Sequence, residues 1–210
     1  MSHNLVVFDV DSTLIVNEVI ELIADYAGTR DLVARITERA MQGELDFAAS
    51  LRERVATLAG VSTDVFERVL EDITVTRGVP ETIAAVHASG GLVAAVSGGF
   101  HEILDPLAKD LSLDMWRANR LETYEGMLTG QVLGPIIDAQ AKADALSEWA
   151  SQSDVPLSKT VAVGDGANDL LMMRIAGLSV AFCAKPIVTR EASVVISVRD
   201  MSLILPHLGL

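Results

Sequence analysis

The feature that most constrains this chain is a set of short apolar runs with no polar alternation. Leu5–Phe8, Leu92–Val96, Val161–Val163 and Val180–Phe182 each read as a strand, and Val194–Ile196 is a weaker fifth. A strand that is apolar at every position must be covered on both faces, which is the situation in parallel sheets flanked by helices. Helical stretches at Glu81–Ala88, Ala139–Ala150 and Leu170–Ile175 alternate with these runs. The expected fold class is therefore α/β, with a mainly parallel sheet.

One stretch breaks the alternation. From Leu14 to Val75 there is no strand pattern, only four helical periodicities. The first three close at Gly28, Gly43 and Gly60, where a C-terminal cap belongs, and Asp46 and Ser62 or Thr63 stand as N-caps. This predicts a core of residues 1–13 and 76–210, interrupted by a small helical cap of residues 14–75. The expected return hinge is Arg77-Gly78-Val79-Pro80. Residues 119–132 read as a β-hairpin turning at Glu125-Gly126.

Composition narrows the partners. Of the 210 residues, 50% are hydrophobic, enough for a sizeable core, yet no apolar run approaches the ~20 residues needed to span a bilayer. The start, Met1-Ser2-His3-Asn4, lacks the cationic and apolar segments of a signal peptide, and the single cysteine, Cys183, rules out an internal disulfide. The expected location is the cytoplasm. A net charge of −13 argues against nucleic acid and anionic membrane as partners. An anionic small molecule needs local positive charge: a metal, a few Lys or Arg side chains, helix N-termini.

Three of the four main runs end in reactive or glycine residues: Asp9 and Asp11 after the first, Ser97-Gly98-Gly99 after the second, and Gly164-Asp165-Gly166-Ala167-Asn168-Asp169 after the third. Ligand crevices of open parallel sheets lie at the carboxyl ends of strands, so the three groups should converge. Asp9 is placed to attack phosphorus as a carboxylate, and Asp11 to serve as general acid and base. An anion attacking an anion requires charge neutralisation. A Mg²⁺ ion held by hard oxygens of Asp9, Asp165 and a backbone carbonyl near Asp11 supplies it. Ser97 and the amides that follow it, with Asn168, are candidates to hold the phosphoryl oxygens, while Asp169 supports the metal shell. The remaining cation is assigned to Lys142, near the start of the helix before the third run; on its own a helix lysine is an ordinary surface charge.

Asp9-Val10-Asp11-Ser12-Thr13, Ser97-Gly98-Gly99-Phe100, Lys142 and Gly164–Asp169 together resemble, in order, the four signature motifs of the haloacid dehalogenase superfamily. The resemblance extends over nearly the whole chain. It implies a Rossmann-like core, a helical-bundle cap inserted after the first strand, an aspartyl-phosphate intermediate and Mg²⁺. The branch most resembled hydrolyses O-phospho-L-serine for serine biosynthesis. Leu171 stands where many relatives carry proline, which should alter helix entry and leave the chemistry intact. A regulatory amino-acid-binding segment ahead of Met1 is not expected, so inhibition by serine is not assumed.

The cap is where substrate choice should reside. Ile15, Val19, Leu22 and Tyr26 form one apolar stripe with Glu18 at its edge; Phe47, Leu51, Val55 and Leu58 form another with Arg54 on it. Periodicity favours edge charges that reach solvent. The resemblance instead implies that Glu18 binds the substrate ammonium and Arg54, rather than Arg52, its carboxylate, as a zwitterion requires. Met41 and Phe47 fill the space around a small substrate or simply join the core. His87, His101 and His207 have no partner spacing and read as surface or structural residues, His3 sits in the N-terminal tail, and Cys183 reads as a buried small hydrophobe. Two rivals remain at this point: a phosphotransferase passing phosphate from phosphoserine to an alcohol such as homoserine, and a signalling module that stores phosphate on Asp9. Oligomeric state is not legible.

Overall fold

A computed structural model describes residues 5–41 and 44–210, with the side chain of Met41 outside the described set along with His3 and Gly43. The seven strands are β1 (Leu5–Phe8), β2 (Leu92–Phe100), β3 (Met115–Tyr124), β4 (Met127–Leu133), β5 (Thr160–Gly164), β6 (Leu178–Phe182) and β7 (Val194–Ile196). They form one sheet in the order β4-β3-β2-β1-β5-β6-β7, in which β4 alone runs antiparallel to its neighbour. The expected hairpin is β3–β4, turning at Glu125 and Gly126.

β1 is central, flanked by β2 and β5, and the strand order reverses direction around it. Its side chains alternate between two cores, which is why the run is apolar throughout. Val6 and Phe8 pack with Val79, Ile83 and Val86 of α5 (Val79–Ala88) and with Ile103 and Leu104 of α6 (His101–Asp110). Leu5 and Val7 pack on the other face with Leu146 and Trp149 of α7 (Ala139–Gln152) and Met172 of α8 (Leu170–Ile175). Leu171 joins this second core from its partly buried position.

Among the described residues the first four helices, α1–α4 in chain order, lie between β1 and α5 and are written αA (Val19–Ala27), αB (Arg30–Met41), αC (Phe47–Ala56) and αD (Val65–Asp72). Their apolar faces are continuous with the core that α5 and α6 cover, through Ile23, Leu51, Val55 and Val69. The insert also leans on the hairpin: the Gly60 N–H donates to the Leu128 carbonyl and the Leu128 N–H to Val61, both at 2.8 Å. Both connections to the core run side by side, with Thr76 N–H donating to the Leu14 carbonyl and Val16 N–H to Thr74, each at 2.9 Å.

Several local expectations are corrected. The first insert helix does not include Ile15, which bridges Val75 in extended conformation. The helix starts at Val19, so its buried face is Val19, Ile20, Ile23 and Ala24, and Tyr26 is 43% exposed, with its hydroxyl donating to Asp72. αC ends at Ala56, four residues before Gly60. αD is preceded by Asp64, while Ser62 Oγ accepts the Asp64 N–H rather than capping the helix proper. Asp46 caps αC as expected, accepting the Ala49 N–H at 2.7 Å. Gly28 closes αA, donating to the Ala24 and Asp25 carbonyls. Gly78 has φ +80°, and a Cβ there would collide with Asp200 and the Ser202 N–H, so the return point is packed against the C-terminal segment. Cys183 is half-buried, at φ +47° just past β6. Among the described residues no helix is long and apolar enough to cross a membrane.

Candidate active site

β2, β1 and β5 are neighbours and parallel, so their carboxyl ends open onto the same point. The second strand does not stop at Val96 as expected: Ser97, Gly98 and Gly99 remain in β2, in an irregular stretch whose register against β3 shifts between Val96 and Phe100. A cavity of about 640 Å³ lies there. Asp9, Asp11, Ser97, Gly98, Asp165 and Asn168 line it from the core, and Glu18, Phe47 and Arg54 from the insert. Lys142 is fully buried beneath it. Met41 ends αB, but its side chain is outside the described residues. Arg52 is exposed and does not line the cavity.

The turn after β1 sets the orientation of the first carboxylates. The Asp9 N–H extends the sheet ladder by donating to Val163 at 2.8 Å. Asp11 is extended and Ser12 is left-handed at φ 58°, after which the Ile15 N–H closes the turn on the Val10 carbonyl at 3.0 Å. Asp11 Oδ2 accepts the Val19 N–H at 3.3 Å, at the start of αA, where helix-terminal donors favour an anion. Its other oxygen, Oδ1, is buried without a hydrogen-bond partner. Ser12 Oγ donates to Glu18 at 2.7 Å, so the turn after β1 is tied to the residue that precedes αA.

Lys142 comes from the first turn of α7, which begins on an Asp138 cap accepting the Ala141 N–H at 2.9 Å. Its ammonium donates to Asp9 and, at 2.8 Å, to Asp169. Asp169 Oδ2 in turn accepts the N–H groups of Asp165 at 3.1 Å and Gly166 at 3.0 Å. A Cβ on Gly164 would run into the Asp169 carboxylate, so this close approach requires glycine. The Gly99 N–H donates to Ser97 Oγ at 2.8 Å, which engages that amide within its own loop. Buried Asn119 ties the loop down, donating to the Gly98 carbonyl and accepting the Ile137 N–H, both at 2.8 Å.

Charge is the unbalanced quantity. Burial would lower the Lys142 ammonium, but Asp169 and Asp9 hold it above its ordinary range, so it stays charged. Burial, then Asp169, push Asp9 well up, more than Lys142 pulls it down. Burial and the nearby Glu18 raise Asp11 to about 8, and burial and Asp169 raise Asp165 to about 6. The site thus holds more carboxylate than one lysine can satisfy. Oxygens of Asp9, Asp165 and Asp169 lie within 4.8 Å of one another. Since both Asp169 oxygens already accept hydrogen bonds, Asp9 and Asp165 are the better placed donors. An all-oxygen set with an unpartnered Asp11 oxygen beside it fits a hard divalent cation.

On the insert side, Arg54 is held by one hydrogen bond, from Nε to the Ser50 carbonyl at 3.3 Å. Burial lowers its pKa, against the raising pull of Glu18, Asp11 and Glu21. Phe47 presses on the glycine loop: a Cβ on Gly98 would stand 2.9 Å from its ring.

One lining cation was not anticipated from the sequence. Lys185 follows β6, the fourth main strand, and its N–H donates to the Asp165 carbonyl at 3.0 Å. The signal was the same rule that found the others, polar residues beyond a strand's carboxyl end, offset here by Cys183 and Ala184. His87 and His101 bond Asp114 and Asp105, away from the cavity.

The family described as haloacid dehalogenase-like hydrolase matches residues 6–174. The phosphoserine phosphatase of Lactococcus lactis is 48% identical over 204 residues, 97% of this chain and 94% of that protein. Two solved structures are alike over 99% of both chains. One, described as a phospho-aspartyl intermediate analogue of phosphoserine phosphatase, has a TM-score of 0.92 at 43% identity. The other, a substrate-bound phosphoserine phosphatase complex, has a TM-score of 0.93 at 42% identity.

Proposed function

The chain belongs to the haloacid dehalogenase-like hydrolases, and from that membership we propose that it hydrolyses O-phospho-L-serine to L-serine and phosphate through an aspartyl-phosphate. The observation that carries this reading is one cavity bounded by Asp9, Asp11, Ser97 and Asp165 on one side and by Glu18 and Arg54 on the other. The first set suits phosphoryl transfer, and the second suits the two charges of an amino acid. Likeness to phosphoserine phosphatases over nearly the full length supports the same substrate.

In this reading Asp9 attacks phosphorus and the bond from phosphorus to the serine oxygen breaks. Asp11, whose carboxyl is held protonated near neutral pH, gives its proton to the departing alkoxide. It then takes a proton from the water that attacks the aspartyl-phosphate, and phosphate leaves. Ser97, the Gly98 segment and Asn168 hold the phosphoryl oxygens. Lys142 fixes the Asp9 carboxylate in line and balances part of its charge. Asp9 and Asp165, with a backbone carbonyl of the Asp11 turn, would hold a Mg²⁺ ion, while Asp169 orients the Asp165 loop. Such an ion would supply positive charge to offset the phosphoryl oxygens. Glu18 takes the substrate ammonium, Arg54 takes the carboxylate, and Phe47 and Met41 shape the space between. Residues 14–75 act as the cap that selects the substrate, carried on the paired connections at Leu14–Val16 and Thr74–Thr76.

The phosphotransferase and the phosphate-storing module find no support in the comparisons, and Asp11 gives this site the acid–base partner that a storage site lacks. A panel of small phosphoesters, assayed for free phosphate with and without Mg²⁺, tests the reading. Phosphoserine should be hydrolysed fastest, and only with the ion. Transfer of most phosphate to added homoserine, or turnover that survives complete chelation, contradicts it.

A further inference from the structure

Lys185 deepens the proposed reaction and rests on that reading. Among the described residues, three positively charged side chains stand at the site. Lys142 is fully buried and already shared between Asp9 and Asp169, so its charge is matched before any ligand enters. Arg54 belongs to the insert side, where the charges that act on it are Glu18, Asp11 and Glu21. Lys185 lines the cavity from the core side and acts on Asp165. Among the described residues its ammonium makes neither a hydrogen bond nor an ion pair.

Its position is set by the backbone. The Lys185 N–H is fixed to the Asp165 carbonyl, and Pro186 follows at once, starting the short helix Pro186–Thr189. The side chain is therefore free at its tip and anchored at its root beside the phosphoryl end of the cavity. A substrate phosphate carries two negative charges into a site already lined by Asp9, Asp11, Glu18 and Asp165, in a chain of net charge −13. One uncommitted cation at that end meets the requirement for local positive charge.

We propose that Lys185 is a phosphate-binding residue, whose ammonium meets the phosphate dianion at the core-side mouth of the cavity. The dianion comes from two sources, the incoming ester and the departing inorganic phosphate, and two measurements separate them. Calorimetric titration of inorganic phosphate into the Mg²⁺-loaded protein reports the product. The Michaelis constant for phosphoserine, and the fall of kcat/KM with salt, report the ester. Lys185→Gln should weaken phosphate binding and raise KM by roughly tenfold each, flatten the salt dependence, and change kcat by less than about threefold. Lys185→Arg should recover most of the loss. Lys109→Gln removes the same charge from an exposed position at the end of α6, and should reproduce none of these effects. If wild type hydrolyses phosphoserine and Lys185→Gln matches it in phosphate affinity and salt dependence, Lys185 is an ordinary surface charge and the proposal fails alone. If wild type neither binds phosphate nor hydrolyses the ester, the functional reading fails with it.

Discussion

On the core side of the cavity, Asp9 and Asp165 follow two adjacent parallel strands, Ser97 lies in the last part of the strand beside them, and Lys142, Asp169 and Ser97 are tied by hydrogen bonds inside the protein. On the insert side, Glu18 and Arg54 sit at one helix entrance and on another helix, each side chain with a single hydrogen bond among the described residues. The first arrangement fixes atoms relative to one another, as in-line displacement requires. The second leaves charged groups ready for a ligand. A site divided in this way should separate reaction from recognition. Core substitutions should slow every phosphoester alike, and insert substitutions should discriminate among them.

The sharpest break comes at Lys142. Lys142→Met leaves Asp9 and Asp169 buried without their shared cation, and removing one partner of a buried ion pair costs ~3–5 kcal/mol. Chemical denaturation should show that loss, and phosphate release should fall by ~10⁴-fold or more with any ester. Near-normal stability would mean that the two carboxylates relax or take up protons cheaply, and the picture of a rigid core wall would be wrong. Asp11→Asn should lower kcat by roughly 10²–10⁴-fold, again for all esters, with less effect on KM.

Arg54→Ala should cost kcat/KM for phosphoserine ~30- to 1000-fold, because a buried charge pair with the substrate is lost. For a phosphoester without a carboxylate the same substitution should cost little. Equal loss on both would make Arg54 a structural residue and remove the distinction between the walls. Glu18→Gln should behave in parallel toward esters without an ammonium group. It should also release the Ser12 hydroxyl, so a modest loss common to all esters is expected as well.

How much of this was readable in the sequence follows from which residues obey a local rule. The strands were legible because complete burial leaves an unbroken apolar run, and the carboxyl-end rule then located Asp9, Ser97 and Asp165. Lys142 was different, since no periodicity separates a helix lysine that plunges between two carboxylates from one in solvent. Its position in the motif order carried it. The register of αA was misplaced because Ile15 looks like the first turn of a helix, whereas its backbone pairs with Val75, sixty residues on. Lys185 was hidden because the residues between β6 and its side chain, Cys183 and Ala184, continue the apolar character of the strand. The bond from Ser12 to Glu18 depends on a left-handed serine, which sequence does not announce.

The last expected effect concerns stability rather than turnover. The Asp11 carboxyl is raised by burial and by Glu18 from an ordinary 3.8 to about 8. Between those values the folded protein holds a proton that the unfolded chain releases, so ν_U − ν_N is negative and unfolding free energy falls as pH rises. The loss begins near pH 4 and is complete above about 8. Asp165, raised to about 6, acts with the same sign over a narrower window. In metal-free protein, denaturation at pH 5, 6.5 and 8 should show wild type losing on the order of 3 kcal/mol more than Asp11→Asn across the range. A divalent cation bound by the neighbouring carboxylates should reduce the slope, since it favours their charged forms. Identical slopes in the two proteins would mean that Asp11 is solvated enough to ionise normally. It would then lack the proton assigned to it for the leaving group at neutral pH, and the core wall would be less enclosed than its hydrogen bonds indicate.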